Sequence, residues 1–115
     1  PDLFIDGIEN LLHIPEMIEA EQLKKLLHLI DEKKVLRGIM ERNMEKEGVN
    51  TLIGEEIAEA EVSGCSILTS SYKMGNKKVG VLGIIGPTRM DYEKVVPLVD
   101  YTGKVVSDFL TKMSK

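Results

Sequence analysis

The chain has 115 residues, a net charge of −4 and one cysteine, with 43% hydrophobic and 30% charged residues. That length gives one domain with a single core, and one cysteine excludes an intrachain disulfide and fits a reducing cytoplasm. The acidic balance excludes a self-sufficient DNA-binding face, and 4% aromatics without tryptophan exclude a stacking platform for single-stranded nucleic acid.

In chain order, Leu3-Phe4-Ile5 is an apolar run closed by Asp6-Gly7 and reads as a strand entering a turn. Ile8 to Ile14 reads as a loop or a single helical turn, and Pro15 opens something helical. Leu23, Leu26, Leu27 and Ile30 stand at helical spacing, so residues 20–30 are expected to bury that stripe. Glu21 and Lys25 are expected to pair across one turn. The apolar phase then slips to Val35, Leu36, Ile39, Met40 and Met44. This predicts a break near Asp31, which serves as N-cap, and a second helix to about Lys46 before Gly48.

Val49 to Ile53 reads as a short strand ending at Gly54. The acidic stretch Glu55 to Glu61 reads as one or two helical turns or a solvated loop. Residues 65–86 read as an antiparallel hairpin: an alternating strand Cys65–Met74, a turn at Gly75-Asn76-Lys77, and a return strand Lys78–Ile85. A long helix follows from about Asp91 to Met113. Pro97 should bend its first turns by removing the bond to the Glu93 carbonyl, and Gly103 lies on its apolar face, where it permits close approach to the sheet. No apolar run approaches the length of a membrane span. The order predicts an α+β fold, an antiparallel sheet with helices packed on it and a long C-terminal helix.

Each feature with chemical potential has a bland counterpart. His13 and His28 lack ligand spacing, so no metal is expected. Cys65 reads as a small buried hydrophobe rather than a nucleophile. Gly80, Gly83 and Gly86 lie within a strand, and no Lys-Ser or Lys-Thr pair follows, so they fail as a phosphate loop. No base–nucleophile pair is evident, so neither catalysis nor a cofactor is expected. The corner Thr88, Arg89, Asp91 and Tyr92 is the candidate partner or ligand-binding site. Its structural alternative has Thr88 or Asp91 capping the helix and Arg89 paired to Asp91, Glu93 or Asp100.

Gly83-Ile84-Ile85-Gly86-Pro87-Thr88-Arg89-Met90-Asp91-Tyr92, continued by Pro97-Leu98-Val99-Asp100-Tyr101, closely resembles the C-terminal signature of the HrcA family of heat-inducible transcription repressors. Asp6-Gly7 with Asn10-Leu11-Leu12 and Pro15-Glu16, Ile53-Gly54-Glu55-Glu56, and Cys65-Ser66 with Tyr72 are similar too. The resemblance implies a bacterial, cytoplasmic repressor that binds an inverted-repeat operator of chaperone operons as a homodimer and is kept active by the chaperonin GroEL. It implies that residues 1–115 are a single GAF-like regulatory and dimerisation domain. Operator contacts would lie on an N-terminal winged helix absent from this chain, in keeping with its start at Pro1. A GAF-like pocket for a small molecule is the alternative role.

Overall fold

The computed structural model describes residues 3–7, 20–54 and 64–114. The expectations placed on Ile8 to Pro15, on His13 and on Glu55 to Glu61 lie outside the described residues. In chain order the elements are α1 (Ala20–Asp31), α2 (Lys33–Asn43), β1 (Val49–Ile53), β2 (Cys65–Met74), β3 (Lys77–Pro87) and α3 (Tyr92–Met113). The strands form one antiparallel sheet in the order β1-β2-β3, an α+β fold as the sequence predicts.

The hairpin turn is Gly75-Asn76, with Gly75 at φ +66°, the left-handed region that glycine enters without steric cost. The return strand therefore starts one residue earlier than the turn composition suggests and runs two residues further, to Pro87. Opposite pairs run from Met74–Lys77 to Cys65–Pro87, with a bulge at Tyr72/Lys73 that shifts the strict alternation. β2 is the central strand, and Cys65 to Ser70 are buried on both of its faces.

One face of the sheet carries α1 and α2. Leu26, Leu29, Leu36 and Ile39 pack there on Cys65 and Ile67, with Leu3 and Ile5 at the margin. The buried stripe of α1 is thus centred on Leu26 and Leu29, while Leu27, expected inside, is 40% exposed. Glu21 pairs with Lys24 at 3.7 Å rather than with Lys25. Asp31 is the last residue of α1, not a cap of α2. Glu32 occupies that N-cap position without a side-chain capping bond; its N–H donates to His28 O (3.1 Å) and its carbonyl accepts from Leu36 N–H (3.1 Å). A single residue therefore separates two nearly continuous helices, and α2 ends at Asn43, three residues before the predicted limit. Residues 3–7 are not a strand, although the Asp6 carboxylate accepts from Gly7 N–H (2.8 Å) and closes the expected turn.

The opposite face carries α3, which turns back at residues 88–91 and runs parallel to β2. Its contacts climb the strand in order: Tyr92 at Ser66, Gly103 at Ser70, Ser107 at Lys73 and Thr111 at Gly75. Twenty-two helical residues and ten strand residues each span about 33 Å, so the two elements match in length. Gly103 is buried, and a Cβ there would stand 2.7 Å from Ser70 Oγ, so the helix approaches β2 because this residue has no side chain. Beyond the bulge the ladder is extended sideways: Ser107 Oγ accepts from Lys73 N–H (2.9 Å) and Thr111 Oγ1 from Gly75 N–H (2.9 Å).

Candidate functional site

The corner between β3 and α3 is built from its backbone outward. Ser66 opposes Gly86 and Cys65 opposes Pro87, so the last residues of β3 remain paired up to the turn. Proline can hold that position because a strand end tolerates a missing donor. The chain then bends through Thr88, Arg89 and Met90, and Asp91 becomes the N-cap residue of α3.

The four corner residues divide by direction. Thr88 and Tyr92 are half-buried, whereas Arg89 and Asp91 are exposed. The Tyr92 hydroxyl donates to the Thr88 carbonyl (2.7 Å) and lies 2.6 Å from Ser66 Oγ. A phenol has one proton, and a carbonyl can only accept, so the Ser66 hydroxyl donates to Tyr92. Thr88 thus enters this network through its backbone. Asp91 makes no side-chain cap bond; its carbonyl accepts from Lys94 N–H (3.1 Å) and Val95 N–H (3.0 Å), and its carboxylate stands 4.0 Å from Lys94 Nζ. Neither proposed cap forms. Among the described residues Arg89 makes no ion pair with Asp91, Glu93 or Asp100, and Asp100 pairs instead with Lys104 at 3.0 Å.

Two further candidates lie within the described residues. Cys65 is 1% exposed at the start of β2. His28 is exposed on α1, 3.8 Å from the Glu32 carboxylate. Among the described residues no three His, Cys, Asp or Glu side chains are grouped to hold a metal. At the far end of the hairpin, Glu47 receives Lys78 Nζ at 2.9 Å and Lys73 Nζ at 3.8 Å, and Lys78 also donates to the Glu45 carbonyl (2.6 Å). The hydrogen bond from Lys78, and then the charges of Lys73 and Lys78, hold the Glu47 carboxyl below the usual carboxylate range.

Two surfaces were not singled out in the sequence. An apolar cavity of about 880 Å³ opens beside β3, lined in part by Leu3, Ile5, Met40, Tyr72, Leu82 and Ile84; residues 88–92 do not line it. Its sequence signal was an unbroken apolar run in β3 that exceeds what one sheet face can bury. The second surface is the outward side of α3, where Leu98, Tyr101, Val105 and Phe109 are 46–66% exposed. No described helix is long and apolar enough to cross a membrane.

The family model described as "HrcA protein C terminal domain" matches residues 1–96. The chain belongs to the HrcA family. A "Heat-inducible transcription repressor HrcA" from Leptospira biflexa is 43% identical over 114 residues, which are 99% of this chain and 33% of that protein. One from Geobacter sulfurreducens is 44% identical over 108 residues, covering 94% and 32%. The chain therefore spans about a third of the length of these HrcA relatives. A solved structure described as that of a hypothetical protein at 2.2 Å resolution shares the fold, with a TM-score of 0.72 and 22% identity, covering 93% of this chain and 31% of that one. The corner Gly86 to Tyr92 and the central hairpin both fall within the segment that matches the HrcA family model.

Proposed function

We propose that this chain is the regulatory and self-associating part of a cytoplasmic heat-inducible repressor that binds an inverted-repeat operator of chaperone operons as a dimer. The observation that carries this reading is the match of 99% of the chain to a relative named as that repressor, at 43% identity. The net charge of −4 supports placing operator contacts outside these 115 residues, since phosphate neutralisation drives DNA affinity. The chain acts as one unit without catalysis, holding two DNA-binding elements at the spacing of the operator half-sites. Of the corner residues, Arg89 and Asp91 are the two whose side chains face a partner, with the chaperonin GroEL as the candidate; Thr88 and Tyr92 hold the turn. Heat acts by shifting the folded population, because a change of about 1–2 kcal/mol in a marginally stable domain alters abundance several-fold.

The test is a graft of these residues in place of the matching third of the Geobacter sulfurreducens relative, assayed on a reporter behind a chaperone-operon promoter. Repression at growth temperature that is lost on heat shock is the expected result. A folded graft that never represses overturns the reading. The cavity beside β3 favours a second reading, a small-molecule sensor, which would show as a ligand-dependent rise in Tm.

A further inference from the structure

The end of the fold that carries the hairpin turn is basic, in a chain whose net charge is −4. Three segments, distant in sequence, meet there. Thr111 Oγ1 accepts from Gly75 N–H (2.9 Å), which ties the end of α3 to the turn. Lys78 Nζ donates to the Glu45 carbonyl (2.6 Å), which ties the loop after α2 to the start of β3. Segments 44–48, 73–78 and 110–114 together hold five lysines, Lys46, Lys73, Lys77, Lys78 and Lys112, against two carboxylates, Glu45 and Glu47. Folding therefore concentrates positive charge that is dispersed along the chain, and the potentials of such groups add.

Two of the five lysines are engaged within the fold. The Lys78 side chain is 14% exposed and lies 2.9 Å from the Glu47 carboxylate, and Lys73 stands 3.8 Å from the same group. Lys46, Lys77 and Lys112 are exposed and make no ion pair among the described residues. Their positions are fixed by the clamp of α3 on the hairpin, where Ser107 Oγ accepts from Lys73 N–H (2.9 Å) and Thr111 holds Gly75. Lys112 also offsets the partial negative charge that the last turn of α3 brings to this end.

We propose that this end is an accessory contact for duplex DNA, in which Lys46, Lys77 and Lys112 pair with backbone phosphates beside the operator while the bases are read elsewhere in the repressor. This deepens the repressor reading and rests on it. Single-stranded nucleic acid is held by stacking on aromatic rings, and the three segments contain none. A membrane surface is held by a broad apolar face beside the basic one, whereas the large apolar side chains exposed here are Met74 and Met113. Duplex phosphates require only charge and a narrow projection, and a two-stranded ribbon is narrow enough to enter the major groove. Three phosphate contacts give a salt slope of about −2.7, well below what a self-sufficient DNA-binding protein shows. The contact therefore adds to operator binding and does not replace the recognition placed outside these residues.

Fluorescence anisotropy of a labelled duplex lacking the operator, titrated with the 115-residue chain from low to physiological salt, tests this, with circular dichroism confirming that each variant is folded. The expected result is binding at low salt with a log–log salt slope of about −2.7. The Lys46→Gln/Lys77→Gln/Lys112→Gln variant flattens that slope and weakens binding by about tenfold or more, and each single change removes about 0.9 from it. Glu47→Gln acts in the opposite direction: it releases Lys73 and Lys78, so binding tightens and the slope steepens. Lys24→Gln, on α1, leaves both unchanged. Absence of binding at low salt overturns the proposal, as does a triple variant that binds like the parent. Equal weakening by Lys24→Gln and Lys77→Gln overturns the assignment to this end of the fold. Tighter binding to a single strand or to phosphatidylserine vesicles than to the duplex overturns the assignment to duplex DNA. Repression by the graft is measured independently, so failure of this contact is distinguishable from failure of the repressor reading.

Discussion

The Tyr92 hydroxyl joins three elements: it lies 2.6 Å from Ser66 Oγ on the central strand and 2.7 Å from the Thr88 carbonyl in the corner, while its ring belongs to the first turn of α3. A helix that starts without a side-chain cap is thereby fixed to the sheet at its first residue. Ser66 is fully buried, so its hydroxyl depends on this partner.

Tyr92→Phe removes both bonds and leaves the Ser66 hydroxyl buried without its acceptor. The expected loss is about 1–3 kcal/mol, the usual cost of stranding a buried polar group. Urea denaturation measures it. Adding Ser66→Ala to Tyr92→Phe should recover part of the loss, because both polar partners are then gone. If the double variant loses the sum of the two single effects, the bond between these residues is not coupled.

The contact of Gly103 with Ser70 sets two effects against each other. Alanine in a helix interior is favoured over glycine by about 1 kcal/mol, yet its Cβ would stand 2.7 Å from Ser70 Oγ. Ser70 is itself buried. Gly103→Val should destabilise the fold by about 1–3 kcal/mol through overpacking. Gly103→Ala should be close to neutral alone and stabilising with Ser70→Ala, since the nearest remaining side-chain atom is then Ser70 Cβ at 3.4 Å. Thermal unfolding of the four proteins decides it; an unchanged Tm for Gly103→Val would show that the helix can lift off the sheet freely.

The hairpin, β1 and α3 were legible because local chemistry decides them: a Gly-Asn turn between alternating strands, and a helical period sustained over 22 residues. The phase of α1 was not. Leu26, Leu27, Leu29 and Ile30 are all apolar, so two stripes fit the period equally, and only the position of the sheet selects Leu26 and Leu29. The corner was located correctly in the chain, but its internal bonds were not, because Tyr92 reaches Ser66, 26 residues away, rather than a neighbouring side chain. The outward apolar side of α3 was hidden for a different reason: a buried stripe and an exposed one overlap on the same helix.

The choice of phase in α1 is measurable. Leu29→Ala should cost about 2–5 kcal/mol, as for a fully buried leucine. Leu27→Ala, on the 40% exposed side, should cost well below half of that. Equal effects in chemical denaturation would return Leu27 to the core and contradict the packing of α1 on the sheet.

Glu47 makes a pH-dependent contribution whose sign follows from its environment. Its carboxyl titrates lower in the folded chain than in the unfolded one, chiefly because Lys78 donates to it at 2.9 Å, with the Lys73 charge adding to the effect. The unfolded chain therefore binds the proton first as the solution is acidified. The contribution is present above the ordinary carboxylate pKa of about 4.3 and fades as the pH falls through the lower folded value. Glu47→Gln should accordingly lower Tm at pH 7, and the gap to the parent chain should close as the pH drops below about 4. Because Glu47 is exposed, added salt should shrink the neutral-pH gap as well. A gap that stays constant from pH 7 to pH 3 would mean that glutamine disturbs the β1 approach sterically and that the charge of Glu47 contributes nothing.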